Sequence, residues 1–397
     1  MNSTASSSNQ PSKMERVQKR PILERREVGR IVSEVPGPSL IVVAGIHGNE
    51  AAGIEGSRRV LLRLARGDIG LRGELLVLGG NVAALQKGVR YQDKDLNRVW
   101  TEEHVRELRK KRDLDAEDRE QLDLLSHVEA AIGRARGRVH LADFHTSSAE
   151  GIPFILFGDT LPQRRFVRAF PIPVVIGLEE QVDGVQSAFW TRRNCVTFGC
   201  EGGQHDDPAS VDALEAVLWI ALRQAGLLRI ERGHRLPELT AAEELLEKRR
   251  AGLPRMLEVV SRHEISPEDE FKMEPGFRCL DHAANGQLLA RDRDGEIRAP
   301  RDGMVILPLY QGLGSDGYFW GRAVTEARLL ASEVLRRLEA ERILPFLPGV
   351  ARDKEDSSRL IIDTKIGRLY PQGVFHFFGY RRIRARGSER TVDRQPG

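Results

Sequence analysis

Leu40-Ile41-Val42-Val43-Ala44-Gly45-Ile46-His47-Gly48-Asn49-Glu50 decides how the rest of the chain is read. An unbroken apolar run closed by glycine suits a strand buried on both faces of a parallel sheet. The polar residues after it fall where such a strand gives way to a helix. His47 and Glu50 therefore put an imidazole and a carboxylate in one strand-to-helix turn. A further nitrogen donor, His145, lies in Asp143-Phe144-His145-Thr146, after the strand-like run Arg138-Val139-His140-Leu141-Ala142. Two His and one Glu are a ligand set for catalytic zinc that leaves one coordination position open. A metallohydrolase is the expectation.

The surrounding sequence bounds that expectation. At 397 residues, 40% hydrophobic and 30% charged, the chain can bury one sizeable core and carry a smaller domain. Its 61 basic and 58 acidic residues leave a formal net charge of +3, which exerts no strong pull on nucleic acid. The three cysteines, Cys195, Cys200 and Cys279, are an odd number. They read as packed thiols in a reducing, cytoplasmic setting rather than a disulfide framework. Met1 to Lys19 is Ser-, Asn- and charge-rich, lacks the apolar core of a secretory signal, and reads as part of a disordered tail over 1–25. The longest apolar stretches are about seven residues, against the roughly 20 that a membrane helix needs.

From Ser39 to about Gly226 short apolar runs alternate with amphipathic stretches. The pattern is that of an α/β fold with a mixed, mostly parallel sheet and helices on both faces. Strands are expected at 39–45, 74–79, 139–144, 153–158, 173–178 and 195–201. Leu122, Leu125, Val128 and Ile132 form one buried stripe of a helix over 115–132. Arg109-Lys110-Lys111-Arg112 is a helix surface. Asp207-Pro208 reads as the capped entry to another helix. The catalytic domain is expected over 26–228 and a helical linker over 229–255. A small antiparallel β domain follows over 256–322, marked by Asn285-Gly286, Asp294-Gly295 and Asp302-Gly303. A C-terminal helix and extension fill 323–397, the helix placing Ala327, Leu330, Val334 and Leu338 in register.

Ligands from a strand-to-helix loop and from the end of another strand would meet at the carboxyl edge of a parallel sheet, where open α/β sheets bind. A zinc held there lowers the pKa of its water toward ~7, and a general base is then needed. Glu201 fits, because it closes the β-rich run Cys195 to Cys200 and is followed by Gly202-Gly203, which keep its approach open. Arg90-Tyr91-Gln92-Asp93-Lys94-Asp95-Leu96-Asn97-Arg98 offers two guanidiniums and an amide that can hold a substrate carboxylate and an oxyanion. Gly312-Leu313-Gly314-Ser315-Asp316-Gly317 matches a dinucleotide fingerprint but lacks the βαβ context and reads as a turn. The sequence contains neither a Walker P-loop nor the Gly-x-Ser-x-Gly elbow of serine hydrolases. His140 reads as a core histidine, and His205 as a residue near the pocket.

In combination, Gly45 to Glu50, Arg90-Tyr91 with Asp95 to Arg98, Asp143 to Thr146 and Cys200 to Gln204 resemble the succinylglutamate desuccinylase and aspartoacylase family, a branch of the zinc carboxypeptidase-like fold. The resemblance implies one Zn2+ per chain on His47, Glu50 and His145, with Glu201 as the base. It implies Arg90 as polariser of the scissile carbonyl, Asn97 and Arg98 on a substrate carboxylate, and Asp95 supporting their loop. One more arginine is expected near the substrate, Arg192 or Arg193. The β domain would wall the site, with Arg298 to Gly303 and Tyr310-Gln311-Gly312 resembling its hairpins. Tyr310 and Tyr318 are the candidates for a hydroxyl reaching the site. The activity implied is hydrolysis of a small N-acyl amino acid or a related anionic amide. A metallocarboxypeptidase acting on peptides is the alternative, disfavoured by a walled pocket. A non-catalytic carboxylate-binding module would be expected to have lost one of the three ligands or the base. The extension beyond Arg322 is longer than the resemblance explains.

Overall fold

The apolar runs pair into one sheet. The computed structural model describes residues 23–231, 233–354, 356, 359–363, 372–386 and 389–394, so residues 1–22 of the expected tail lie outside it. The first seven strands are β1 (Glu27–Val32), β2 (Ser39–Ala44), β3 (Glu74–Gly79), β4 (Val139–Ser147), β5 (Phe154–Phe157), β6 (Val174–Ile176) and β7 (Val196–Gln204). The next seven are β8 (Met256–Glu264), β9 (Lys272–Met273), β10 (Asp281–Ala283), β11 (Leu288–Asp292), β12 (Gly295–Arg298), β13 (Gly303–Ile306) and β14 (Asp316–Ala323). The main sheet runs β1-β3-β2-β4-β7-β5-β6-β8-β14-β13-β10. β3, β2, β4 and β7 are mutually parallel, whereas β1 and β5 join antiparallel.

Every residue of β2 and β3 is buried because helices cover both faces. These are α1 (Ala52–Leu64), α2 (Val82–Lys87), α3 (Glu102–Leu108), α4 (Ala116–Arg134), α5 (Leu161–Val167), α6 (Gln186–Thr191), α7 (Pro208–Ala225) and α8 (Pro237–Arg250). Strand alternation divides the core into two layers. Leu40, Val42 and Ala44 pack with α1, α7 and α8. Ile41 and Val43 pack with α4 and with Phe189 and Trp190 of α6. Each Leu, Ile and Val among them contributes about 1.5–3 kcal/mol through burial. Asp207 caps α7 by accepting from Ala209 N at 2.9 Å, with Pro208 in the first turn. Asp115 and Asp118 form a capping box on α4.

The β-rich segment after residue 255 continues the main sheet rather than standing apart. β8 pairs parallel with β6, Val174 opposite Met256, so the edge that β6 would otherwise expose is covered. β14, β13 and β10 follow antiparallel. Asp294-Gly295 turns β11 into β12, whereas Asn285-Gly286 passes from β10 in the main sheet to β11 in a three-stranded one, β12-β11-β9.

α9 (Glu326–Arg337) forms over the expected span but is rotated relative to its apolar register. Leu330, Val334 and Leu338 are 53%, 54% and 71% exposed, and Ser332, Glu333 and Arg336 are buried. The reason is electrostatic. Arg336 reaches the carbonyl and carboxylate of the fully buried Asp159, which Arg164 also pairs at 2.5 Å. Beyond it lie α10 (Gln372–Phe377) and the antiparallel strands β15 (Val350–Arg352), β16 (Arg359–Asp363), β17 (Tyr380–Arg386) and β18 (Glu389–Arg394). They enclose a separate core with Leu344, Leu360, Phe375 and Val392. No helix among the described residues is long and apolar enough to cross a membrane.

Candidate metal centre and active site

The turn after β2 carries His47 and Glu50 to the carboxyl edge of the sheet. Gly48 is forced there, since a Cβ would sit 2.1 Å from the Ala84 carbonyl carbon. Its N–H donates to Arg90 O at 3.1 Å, which ties this turn to the polar loop. β4 delivers His145 from the neighbouring strand. Glu50 Oε1 lies 2.8 Å from His47 Nδ1 and Oε2 lies 3.0 Å from His145 Nδ1. All three residues are buried, and one ligand atom from each falls within 4.8 Å of the others.

The opposite ring nitrogens are held by carboxylates. His47 Nε2 is 3.0 Å from Asp95 Oδ1, and His145 Nε2 is 3.1 Å from Asp143 Oδ2. A carboxylate on Nε2 fixes the tautomer that turns Nδ1 toward the centre and raises its basicity, the usual support of a metal-bound histidine. The donor set, two so-oriented imidazoles and a carboxylate, fits a divalent zinc with an open position. The charges of the cluster are paired with one another. Burial opposes ionisation of Glu50, yet His47 and His145 hold its carboxyl well below the usual range. Burial likewise opposes the charge on His145, yet Asp143 and Glu50 hold its pKa well above the usual imidazole value.

Glu201 stands opposite His145 in the β4–β7 register. Burial pushes its carboxyl up to about 8, His145 and Arg90 pulling against it and Glu50 and Asp143 adding to it. Its Oε2 is buried with no hydrogen-bond partner among the described residues. These groups line a cavity of about 140 Å³ together with Arg90, Asn97 and Arg98.

The polar loop is held from beneath. Glu117, fully buried on α4, accepts from the backbone N–H of Gln92, Asp93 and Lys94 at 2.8, 2.8 and 3.2 Å and from Asn81 Nδ2 at 3.0 Å. Lys94 in turn pairs with Asp115 and Asp118. Together these contacts account for the acidic group of Asp93, Asp115 and Glu117. Asp95 links the loop to the centre, accepting from Arg90 Nη2 at 2.9 Å and facing His47. Asn97 Oδ1 accepts from Gln186 N at 2.9 Å while its Nδ2 lies 3.4 Å from His145 Nε2. Gly184 closes the packing: its φ is +71° and a Cβ would meet Arg98 O at 2.1 Å.

Several expected residues lie elsewhere. Arg193 pairs with Glu102 at 2.8 Å and stacks on Phe189, and Arg192 is exposed at the end of α6. Neither lines the cavity, because burial of Phe189 and Trp190 turns that end of α6 away. The Tyr310 hydroxyl is engaged within the wall, accepting from Phe277 N at 3.0 Å and donating to Glu274 O at 2.9 Å. Tyr318 is buried and stacks on His263. His205 bonds Thr146 Oγ1 at 2.8 Å beside Glu50. His140 is buried and stacked on Phe166. Asp143, Glu117 and Asp316 were not singled out as site residues. Asp143 was readable, since residues two apart on a strand share a face. The other two meet the site only through tertiary packing.

Fold and site together define an α/β protein with a buried His-Glu-His cluster at the carboxyl edge of the parallel strands of a large mixed sheet. Residues 36–218 match the model of the succinylglutamate desuccinylase/aspartoacylase catalytic domain. The chain is 29% identical over 271 residues to the succinylglutamate desuccinylase of Burkholderia thailandensis, covering 64% of this chain and 71% of that one. With the enzyme of Pseudomonas syringae pv. tomato it shares 44% identity over 68 residues, 17% of this chain and 20% of the relative's length. The first such relatives are thus spanned over about a fifth of their length. A succinylglutamate desuccinylase/aspartoacylase structure from Rhodobacter sphaeroides superposes with a TM-score of 0.52 at 18% identity, covering 74% and 87% of the two chains. A succinylglutamate desuccinylase from Vibrio cholerae gives 0.52 at 15% identity, covering 74% and 83%. The likeness to the succinylglutamate desuccinylase/aspartoacylase family read in the sequence is therefore shown, and these structures show the shared fold.

Proposed function

We propose that the protein is a zinc-dependent amidohydrolase that removes the acyl group from a small N-acyl amino acid or a related carboxylate-bearing amide. The observation that carries this is the His47–Glu50–His145 cluster, each histidine backed by a carboxylate, with the buried Glu201 opposite His145. Zinc bound there would supply Lewis acidity and a nucleophilic water at neutral pH. Glu201 takes a proton from the water and returns it to the departing nitrogen as the C–N bond breaks and the water oxygen joins the acyl carbon. Burial, which raises its pKa, makes its carboxylate a stronger base than a solvated one. Arg90, buried beside Glu50 and Asp95, donates to the acyl oxygen as negative charge develops there. Asn97 and Arg98 orient the carboxylate end. The three buried thiols suit a cytoplasmic place of action.

The test is zinc content together with hydrolysis of acetylated and succinylated amino acids by wild type and Glu201→Gln. Glu201→Gln should keep about one zinc per chain and lose ~10²–10⁴ in kcat. His47→Ala should lose the metal. A Glu201→Gln protein as fast as wild type overturns the assignment of the base.

A further inference from the structure

We propose that the site selects amides carrying a single carboxylate and an otherwise apolar substituent, and that Asp316 is the residue that imposes this choice. The inference rests on the deacylase reading above and narrows its substrate class. Both arginines that line the cavity are already engaged by carboxylates of the chain. Arg90 is paired with Asp95 at 2.9 Å beside Glu50. Arg98, which the reading above gives to the one substrate carboxylate, also gives Nη2 to Asp316 Oδ2 at 2.8 Å and Nη1 to Asn97 O at 3.0 Å, so it has no charge left over for a second carboxylate.

Asp316 opens β14, and its other oxygen, Oδ1, takes Arg262 Nε of β8 at 2.5 Å. Arg262 also donates to Ser315 Oγ at 3.1 Å and Ser315 O at 3.3 Å. The carboxylate is thus pinned from two sides and only 15% exposed. It cannot swing away from Arg98 without also giving up the bond from Arg262 Nε. The two further arginines that might have gripped an anion, Arg192 and Arg193, do not face the cavity.

The remaining lining agrees. Leu156, Leu178, Val182, Val185, Leu307 and Phe319 surround the cavity beyond the polar loop, with the carboxyl of Glu179 held by Ser187 Oγ at 2.6 Å. A second substrate carboxylate in that region would meet apolar walls and the acidic groups of Glu179 and Asp316. Desolvating an unpaired charge is strongly unfavourable, whereas an apolar substituent gains from every part of its surface that it buries. The wall therefore accepts an aliphatic or thioether side chain and rejects a dicarboxylate.

The experiment compares N-acetylmethionine with N-acetylaspartate and N-succinylglutamate on the zinc-loaded full chain, as wild type, Asp316→Asn and Arg98→Gln/Asp316→Asn. Wild type should favour N-acetylmethionine in kcat/KM by at least about tenfold, and Asp316→Asn should shrink that ratio about tenfold through a lower KM for the diacids. The double variant should lose the shift, because the freed Arg98 carries it. Calorimetric binding of free methionine and aspartate gives the same comparison without turnover, and melting curves confirm that each variant is folded. A wild type that prefers the diacids, or an Asp316→Asn ratio equal to wild type in both readouts, overturns the proposal. If no amide is hydrolysed but the binding preference and its loss in Asp316→Asn are seen, the deacylase reading fails and the assignment of Asp316 stands.

Discussion

Asp143 does its work through His145 rather than on any ligand of its own. It holds Nε2 at 3.1 Å, so Asp143→Asn should lower zinc affinity by ~10–100-fold in a competition titration with a chelating dye. Glu201→Gln in the same titration should bind as wild type, since Glu201 is no ligand. A different residue sets the acid limit of the fold. Burial lowers the pKa of His140 to about 4, so the folded state keeps the ring neutral while the unfolded chain takes a proton below about 6.5. Its contribution is present above pH 6.5 and is lost as pH falls toward 4, a swing of about 3 kcal/mol. His140→Asn should flatten that part of the stability–pH curve relative to wild type in urea titrations. An unchanged slope would assign acid sensitivity to the carboxylates instead.

Between the residues and the whole stand a few elements that hold the site in shape. Glu117 binds three successive backbone N–H groups of the 92–94 loop from α4. Glu117→Gln converts a charged acceptor into a neutral one and should cost ~1–3 kcal/mol. Amide exchange should speed up at 90–98 and KM rise more than kcat falls. Strands β2, β3, β4, β6 and β7 were legible in the sequence because double-sided burial demands unbroken apolar runs, and α7 because Asp207-Pro208 announces a capped start. The convergence of His47, Glu50 and His145 was legible for the same reason, since their turns follow such runs. What the sequence hid depends on charge pairs made across long separations. The outward face of α9 could not be read from Leu330, Val334 and Leu338, because Arg336 finds its partner at Asp159. Asp316 stood unremarked inside a glycine-rich turn because its meaning lies in Arg98 and Arg262. Arg192 and Arg193 misled because proximity along the chain says nothing about which end of α6 turns inward.

At the level of the whole molecule, the C-terminal unit is fastened to the catalytic half by buried ion pairs as well as by Leu329, which packs on the main core. Arg336, 2% exposed, is paired with Asp159, which is fully buried. Arg336→Met leaves Asp159 with Arg164 as its cation and should cost roughly 1–3 kcal/mol. The loss should show as an early transition in thermal unfolding, with kcat retained because no group of this contact lines the cavity. Zinc should act in the opposite direction. Saturation at 100 times Kd should stabilise the fold by about 2.7 kcal/mol, read as a rise in Tm that excess chelator reverses. A further consequence follows from the hydrogen bonding of β8 to β6. Because floor and wall share one sheet, strand pairing runs unbroken from β7, which bears Glu201, to β14, which bears Asp316. Ligand exchange cannot proceed by domains swinging apart. The 307–315 connection between β13 and β14, several of whose residues line the cavity, is instead the stretch of the wall that carries no strand pairing.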